Sequence, residues 1–328
     1  MIRLKHGSGR ETAQIFFNLC RQHVKAAGLD PDETFFVYPV GGFGEFTFVS
    51  SLLPELRKQG KVAMFLPQSK IDYFELFPGS ADFVLHYGPQ FNAYMGDLYH
   101  QGMCKPGYPF VPFTDWLGDG RFNMELVTKE GRLTLKEGYA YMMGLPLTSN
   151  GVQATVPPGP PPAGLETPGK RVLVIPHANS HKPFDPALWN GIAQRCQAAG
   201  YQVYFEAMNY PHPLPAGVQK LTLTPKALLQ SLRAFESVIA VRSGLTDLIG
   251  AVPRAQRGKM AVVYHITAAP PAEEQRYNHT AGVAKSGLAL TRIYPGDATL
   301  QDFEVNGDAL NPAELEPLLA WALSGAAA

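Results

Sequence analysis

The chain has 328 residues, long enough for about two domains that each bury a core of their own. At 45% apolar and 17% charged residues, it has the balance of a soluble globular protein and excludes a disordered one. Its 28 basic and 28 acidic residues cancel, which argues against the basic face of a nucleic-acid-binding protein.

In chain order, the apolar spacing of Ile15, Phe16, Leu19 and Val24 predicts an amphipathic helix over residues 11–27. Thr34 to Tyr38 reads as a first strand. The glycines of Gly41-Gly42-Phe43-Gly44 then open a helix that carries Phe48, Leu52, Leu53 and Leu56 and stops at Gly60. Lys61 to Leu66 and Ala81 to Leu85 are two further strands. From Tyr87 to Leu147 the sequence is aromatic, Gly- and Pro-rich and poorly periodic, and reads as loops and irregular helices.

Residues 156–169 hold a run of prolines that lack amide donors and fix φ, so neither a helix nor a central strand passes through. They form the expected boundary, a semi-rigid linker between domains at 1–155 and 170–328. Beyond it, Arg171 to Pro176 is a strand. Asp185 caps a helix with Pro186 at its first position and Gly200 past its end. Strands at 201–205 and 220–223, a helix at 225–235, strands at 238–241 and 260–264 and a closing helix at 312–323 complete the pattern. Strands alternating with helices predict an α/β fold of two Rossmann-like, doubly wound parallel sheets that face a cleft.

Ligands of such sheets bind at the carboxyl ends of the strands. The most informative such junction is Arg242-Ser243-Gly244-Leu245-Thr246-Asp247. An arginine fork, a hydroxyl, a glycine and the free amides of a helix start together suit a phosphate. The same residues fit, as well, a capped turn in which Arg242 pairs with a carboxylate. After the first strand of this half come His177, Asn179, His181 and Lys182, a polar loop whose lysine suits a phosphate. The two histidines have no third ligand in sight, so no metal is expected. His265, at the end of the 260–264 strand, points toward the same presumed cleft. In the first half, Gly42 and Gly44 allow close backbone approach. Glu45, at a helix start, is a candidate general base or simply a charge that complements the helix dipole. The segment departs from the dinucleotide fingerprint and from the P-loop.

Together these segments resemble glycosyltransferases of the two-Rossmann-domain (GT-B) type, and among them the bacterial heptosyltransferase group, glycosyltransferase family nine. Gly41-Gly42-Phe43-Gly44-Glu45-Phe46 with the leucine-rich helix after it is similar to the family's Gly-Asp loop and helix. Val174 through Lys182 to Trp189 is similar to its strand, polar loop, lysine and tryptophan-bearing helix. Val238 to Ile249 resembles its Asp-Ser/Thr-Gly-Leu-x-His motif, with Arg242 in place of the aspartate and Asp247 in place of the histidine. The resemblance implies Glu45 as catalytic base, Lys182 on donor phosphate, and Ser243, Gly244 and Leu245 around the diphosphate of a nucleotide sugar.

The function so implied is metal-independent transfer of a sugar from a nucleotide-diphosphate donor to a cell-envelope or other glycan acceptor, free or lipid-linked, with no resident cofactor and no nucleic-acid partner. A nucleotide-sugar epimerase of the same fold and a non-catalytic glycan- or partner-binding protein are the alternatives. Three widely spaced cysteines, Cys20, Cys104 and Cys196, predict a reducing compartment. The first residues lack a signal-peptide core, and no apolar run approaches the ~20 residues of a membrane span. The expected location is the cytoplasm, with peripheral association at the inner face of the membrane left open.

Overall fold

The computed structural model describes residues 9–39, 42–88, 103–112, 131–156, 159–166, 169–178, 183–207, 210–265, 286–306 and 311–324. The chain divides into two compact units, residues 1–127 with 135–154 and residues 128–134 with 155–328. The Pro-rich segment belongs to the second unit, where Leu165 is buried.

The first unit contains α1 (Gly9–Ala26), β1 (Thr34–Val37), α2 (Phe43–Arg57), β2 (Lys61–Pro67), α3 (Ile71–Phe74), β3 (Phe83–Tyr87), β4 (Pro109–Phe110) and α4 (Leu135–Met142). Its strands pair in parallel in the order β3-β2-β1-β4. β1 is buried at every position, as in a strand covered on both faces. On one face, Ala13, Phe16, Phe17, Cys20 and Val24 of α1 pack on Phe36, Tyr38, Ala63 and Phe65. Side chains alternate along a strand, so Phe35, Val37, Val62 and Met64 turn to the opposite face. The chain turns out of α1 at Gly28, two residues past its end, whose φ of 82° is open to glycine and costly for other residues. The short strand β4 and the helix α4 fall in the stretch whose sequence shows no usable period.

The second unit contains β5 (Arg171–Ile175), α5 (Pro186–Ala198), β6 (Gln202–Glu206), β7 (Gln219–Leu221), α6 (Pro225–Ser231), β8 (Ser237–Val241), α7 (Gly244–Ala251), β9 (Lys259–His265), α8 (Leu290–Ile293), β10 (Leu300–Val305) and α9 (Pro312–Leu323). All six strands are parallel, in the order β10-β9-β8-β5-β6-β7. Counted from β5, that is the 3-2-1-4-5-6 order of doubly wound nucleotide-binding sheets. Besides α7, three described helix starts of this unit are capped by side chains: Asp185 accepts from the Ala187 amide at 2.8 Å, Thr224 from Ala227 at 3.3 Å and Asn311 from Ala313 at 3.1 Å. Leu188, Trp189 and Ile192 of α5 and Leu315, Leu318 and Leu319 of α9 share one core over Val174, Ile239, Val241 and Val263. The sheet continues one strand beyond the expected set, because β10 pairs with β9 along its whole length.

Candidate functional site

In the second unit the strand order reverses between β5 and β8, so the crevice that parallel sheets offer to ligands opens beyond the carboxyl ends of these two strands. β8 is buried throughout, and the amide of Arg242 still donates to the Val263 carbonyl at 3.0 Å. The backbone then turns at Ser243, whose φ of −159° and ψ of 170° make it the extended N-cap of the eight-residue helix α7. Ser243 and Thr246 form a capping box. Among the described residues no acceptor takes the amides of Gly244 and Leu245. Ser243, Gly244 and Leu245 are half-exposed, whereas the flanking Arg242, Thr246 and Asp247 are buried. Two open amides, a hydroxyl and the positive end of a helix dipole are the groups with which a helix start holds an anion.

The charges lie elsewhere than expected. Arg242 and Asp247, 4% and 2% exposed, face each other: Nη1 donates to Oδ2 at 2.8 Å, and Nη2 lies 2.7 Å from Oδ1. The second contact is an ion pair without hydrogen-bond alignment, which leaves Oδ1 without a hydrogen bond. Burial opposes the Arg242 charge, yet the negative groups around it, Asp247 first and then Tyr264 and Asp302, together prevail and hold the guanidinium above its ordinary range. The Asp247 carboxyl is pushed up by burial against the pull of Arg242. Of the two readings the sequence allows, a ligand contact and a pairing with a carboxylate, Arg242 and Asp247 show the second, as a buried pair beneath the turn. A bare charge in this interior is far costlier than the pair.

Beyond β5, His177 is half-exposed and Ala178 buried, while Asn179 and Lys182 lie outside the described residues. His265, the last residue of β9, is 1% exposed, and its ring lies 5.0 Å from that of Phe184. It is packed against an aromatic wall rather than held out to solvent.

In the first unit the order reverses between β1 and β4, and β1 leads into α2. Gly42 is the exposed N-cap, Gly44 is buried in the first turn, and Glu45 is the third helical residue, 7% exposed. Gly41 lies outside the described residues. Phe43 and Phe46 pack on Tyr73 of α3, with ring centres at 4.7 and 6.2 Å, which seats the start of α2 on the segment that follows β2. That segment supplies a residue the sequence reading missed. Lys70 closes a short 3-10 turn after β2 and lies within electrostatic reach of Glu45. Burial lowers the Lys70 ammonium from its usual range, and the Glu45 charge opposes the fall. Tyr87, which ends β3, is raised by burial, then by Cys20 and Glu45. The charge of Glu45 is thus felt by an amine just past β2 and by a phenol at the end of β3. The only hint in the sequence is a lysine three residues past the end of β2.

Among the described residues, no group of His, Cys, Asp or Glu side chains is arranged to hold a metal ion. Nor is any described helix long and apolar enough to cross a membrane.

No family model matches the sequence, and no curated protein does. The structure is similar to that of the ADP-heptose LPS heptosyltransferase II of E. coli, at 13% identity and a TM-score of 0.52, over 89% of this chain and 98% of that one. It is also similar to a glycosyl transferase family 9 protein of Veillonella parvula, at 11% identity and a TM-score of 0.49, over 89% and 92% of the two chains. The first likeness shows a shared fold. The two parallel-sheet α/β units share the architecture of that heptosyltransferase.

Proposed function

We propose that the chain is a glycosyltransferase that moves a sugar from a nucleotide-diphosphate donor to a hydroxyl of a glycan acceptor. The observation that carries this reading is the half-exposed Ser243-Gly244-Leu245 turn, with its open amides, at the strand-order reversal of a six-stranded parallel sheet. The shared fold supports it, since the E. coli protein is by name a transferase that uses ADP-heptose.

In the proposed step, the acceptor oxygen bonds to the anomeric carbon as the bond from that carbon to the β-phosphate oxygen breaks. The acceptor proton goes to the carboxylate of Glu45, and the electron pair leaves with the nucleoside diphosphate. The amides of Gly244 and Leu245 and the hydroxyl of Ser243 meet the charge that builds on the departing diphosphate. Lys182, by the family resemblance, adds a positive charge there. The step invokes neither a metal nor a resident cofactor. The acceptor would be a cell-envelope or other glycan, free or lipid-linked, and the protein would act in the cytoplasm.

The test is product analysis with labelled nucleotide sugars and envelope glycan acceptors. Label moving to the acceptor, and lost in Glu45→Gln with donor binding retained, is the expected outcome. A free isomerised donor would instead indicate an epimerase. Binding without any turnover, at every donor and acceptor tried, would leave a glycan-binding protein and contradict the transferase reading.

A further inference from the structure

The guanidinium of Arg242 joins two segments that are far apart in sequence. Nη1 donates to the Ser243 carbonyl at 2.7 Å and to Thr246 Oγ1 at 3.2 Å, both in the turn itself. Nε donates to the Leu288 carbonyl at 3.1 Å, in the segment that precedes α8. That segment is fastened to two more strands. Leu290 donates its amide to the hydroxyl of Tyr264, on β9, at 3.2 Å. Asp302, on β10, accepts from the Leu290 amide at 3.2 Å, the Thr291 amide at 3.0 Å and the Thr291 hydroxyl at 2.5 Å. Tyr294 closes the circuit, donating its hydroxyl to the carbonyl of Asp247 at 3.0 Å.

We propose that Arg242 is a positioning residue of the donor site: through Asp247 and the Ser243 carbonyl it locks the Ser243–Leu245 turn to the 288–294 segment, and it makes no contact with the diphosphate. This rests on the donor site lying at that turn, as proposed above. For the guanidinium to reach a ligand it would have to leave Asp247, stranding a carboxylate that is 2% exposed. Its bonds to Leu288 and Ser243 would break as well. A rigid turn holds its two open amides in one direction, and such preorganised donors bind an anion without first being ordered.

Contact and positioning predict opposite signs for Asp247→Asn. If Arg242 touched the diphosphate, neutralising its competitor would free the fork and tighten binding. If Arg242 positions the turn, the variant loosens it, and affinity falls by about tenfold. The measurement is calorimetry of the full chain with ADP, GDP and UDP, each against wild type and variant, with melting curves to confirm folding. Tyr294→Phe, which deletes only the hydroxyl bonded to the Asp247 carbonyl, supplies the answer if Asp247→Asn does not fold. Positioning predicts weaker diphosphate binding in this variant too, and direct contact predicts none. Tighter binding in Asp247→Asn, or unchanged binding in Tyr294→Phe, overturns the inference. Wild-type protein that binds none of the three probes overturns the donor site itself, and with it the ground for assigning Arg242.

Discussion

Ser243 and Thr246 satisfy each other across the first turn of α7: the Ser243 amide donates to Thr246 Oγ1 at 3.0 Å, and the Thr246 amide to Ser243 Oγ at 3.4 Å. The Thr246 hydroxyl also donates to the Ser243 carbonyl at 2.6 Å. Thr246 is fully buried, so its bonds have no water to replace them. The box takes up two of the donors at the helix start and leaves those of Gly244 and Leu245 to face outward. The open amides are therefore a consequence of which residues cap the helix.

Thr246→Val keeps the shape of the side chain and deletes its oxygen. The Ser243 amide then loses its acceptor in a half-buried place, and stability falls by about 1–3 kcal/mol. Urea unfolding followed by circular dichroism measures this. A variant as stable as wild type would mean that the box does not hold the turn.

Asp82 anchors the sheet of the first unit. Its carboxylate accepts from Arg57 Nη2 at 2.8 Å and Nε at 3.1 Å, and from the Val62 amide at 3.0 Å. Burial pushes this carboxyl up, but the Arg57 and Val62 bonds prevail and hold it at about 2, below its ordinary 3.8. A depressed carboxyl contributes stability above its unfolded value and loses it as the pH falls through the folded one. Asp82→Asn is thus expected to cost about 1 kcal/mol at neutral pH, since Arg57 is partly exposed and its pairing is screened. The difference from wild type should shrink from pH 3.8 toward about pH 2. Hydrogen exchange of the Val62 amide reads it within this unit, and a difference that grows on acidification contradicts the assignment.

Lys70 and Glu45 are coupled in a defined direction. Burial lowers Lys70, and the negative charge of Glu45 pushes it back up. Removing that charge in Glu45→Gln should let the Lys70 ammonium fall further below the usual lysine range. A 13C-labelled lysine titration followed by NMR shows the change directly. A Lys70 titration identical in wild type and Glu45→Gln would separate the two residues.

The three cysteines are structural. Burial pushes Cys20 and Cys196 up to about 12 and raises Cys104 as well, so hardly any thiolate exists near neutrality. Native protein at pH 8 is expected to resist a disulfide thiol reagent and to react at all three positions once unfolded. Rapid labelling of the folded chain would show that one of these thiols is accessible.

Much of the fold is readable where local signals are strong. Asp185, Pro186 and Gly200 bracket α5 because capping and φ preferences act within a few residues. The run from Ser237 to Val241 declares a buried strand because both of its faces are covered. β10 escapes notice because it lies at the sheet edge: Gln301 and Glu304 are exposed, and Asp302 serves the neighbouring segment. Its composition is therefore polar despite six residues of pairing with β9. The turn after β8 is equally legible as structure, being a strand end followed by a capping pattern. The role of Arg242 is not, since an arginine before a helix start fits both a ligand and a partner one turn along. Burial, which local sequence does not encode, selects the Asp247 pair. Lys70 stays hidden for a similar reason, because its relation to Glu45 crosses from one strand end to the next.

The central claim, that a nucleoside diphosphate is held by the turn after β8, is tested most directly by amide NMR. Protein labelled with 15N at glycine and leucine would be titrated with ADP, GDP and UDP. The account predicts that the Gly244 and Leu245 amides shift most, in step with saturation, as each takes a phosphate oxygen. A diphosphate that saturates the protein while both amides stay in place would contradict it.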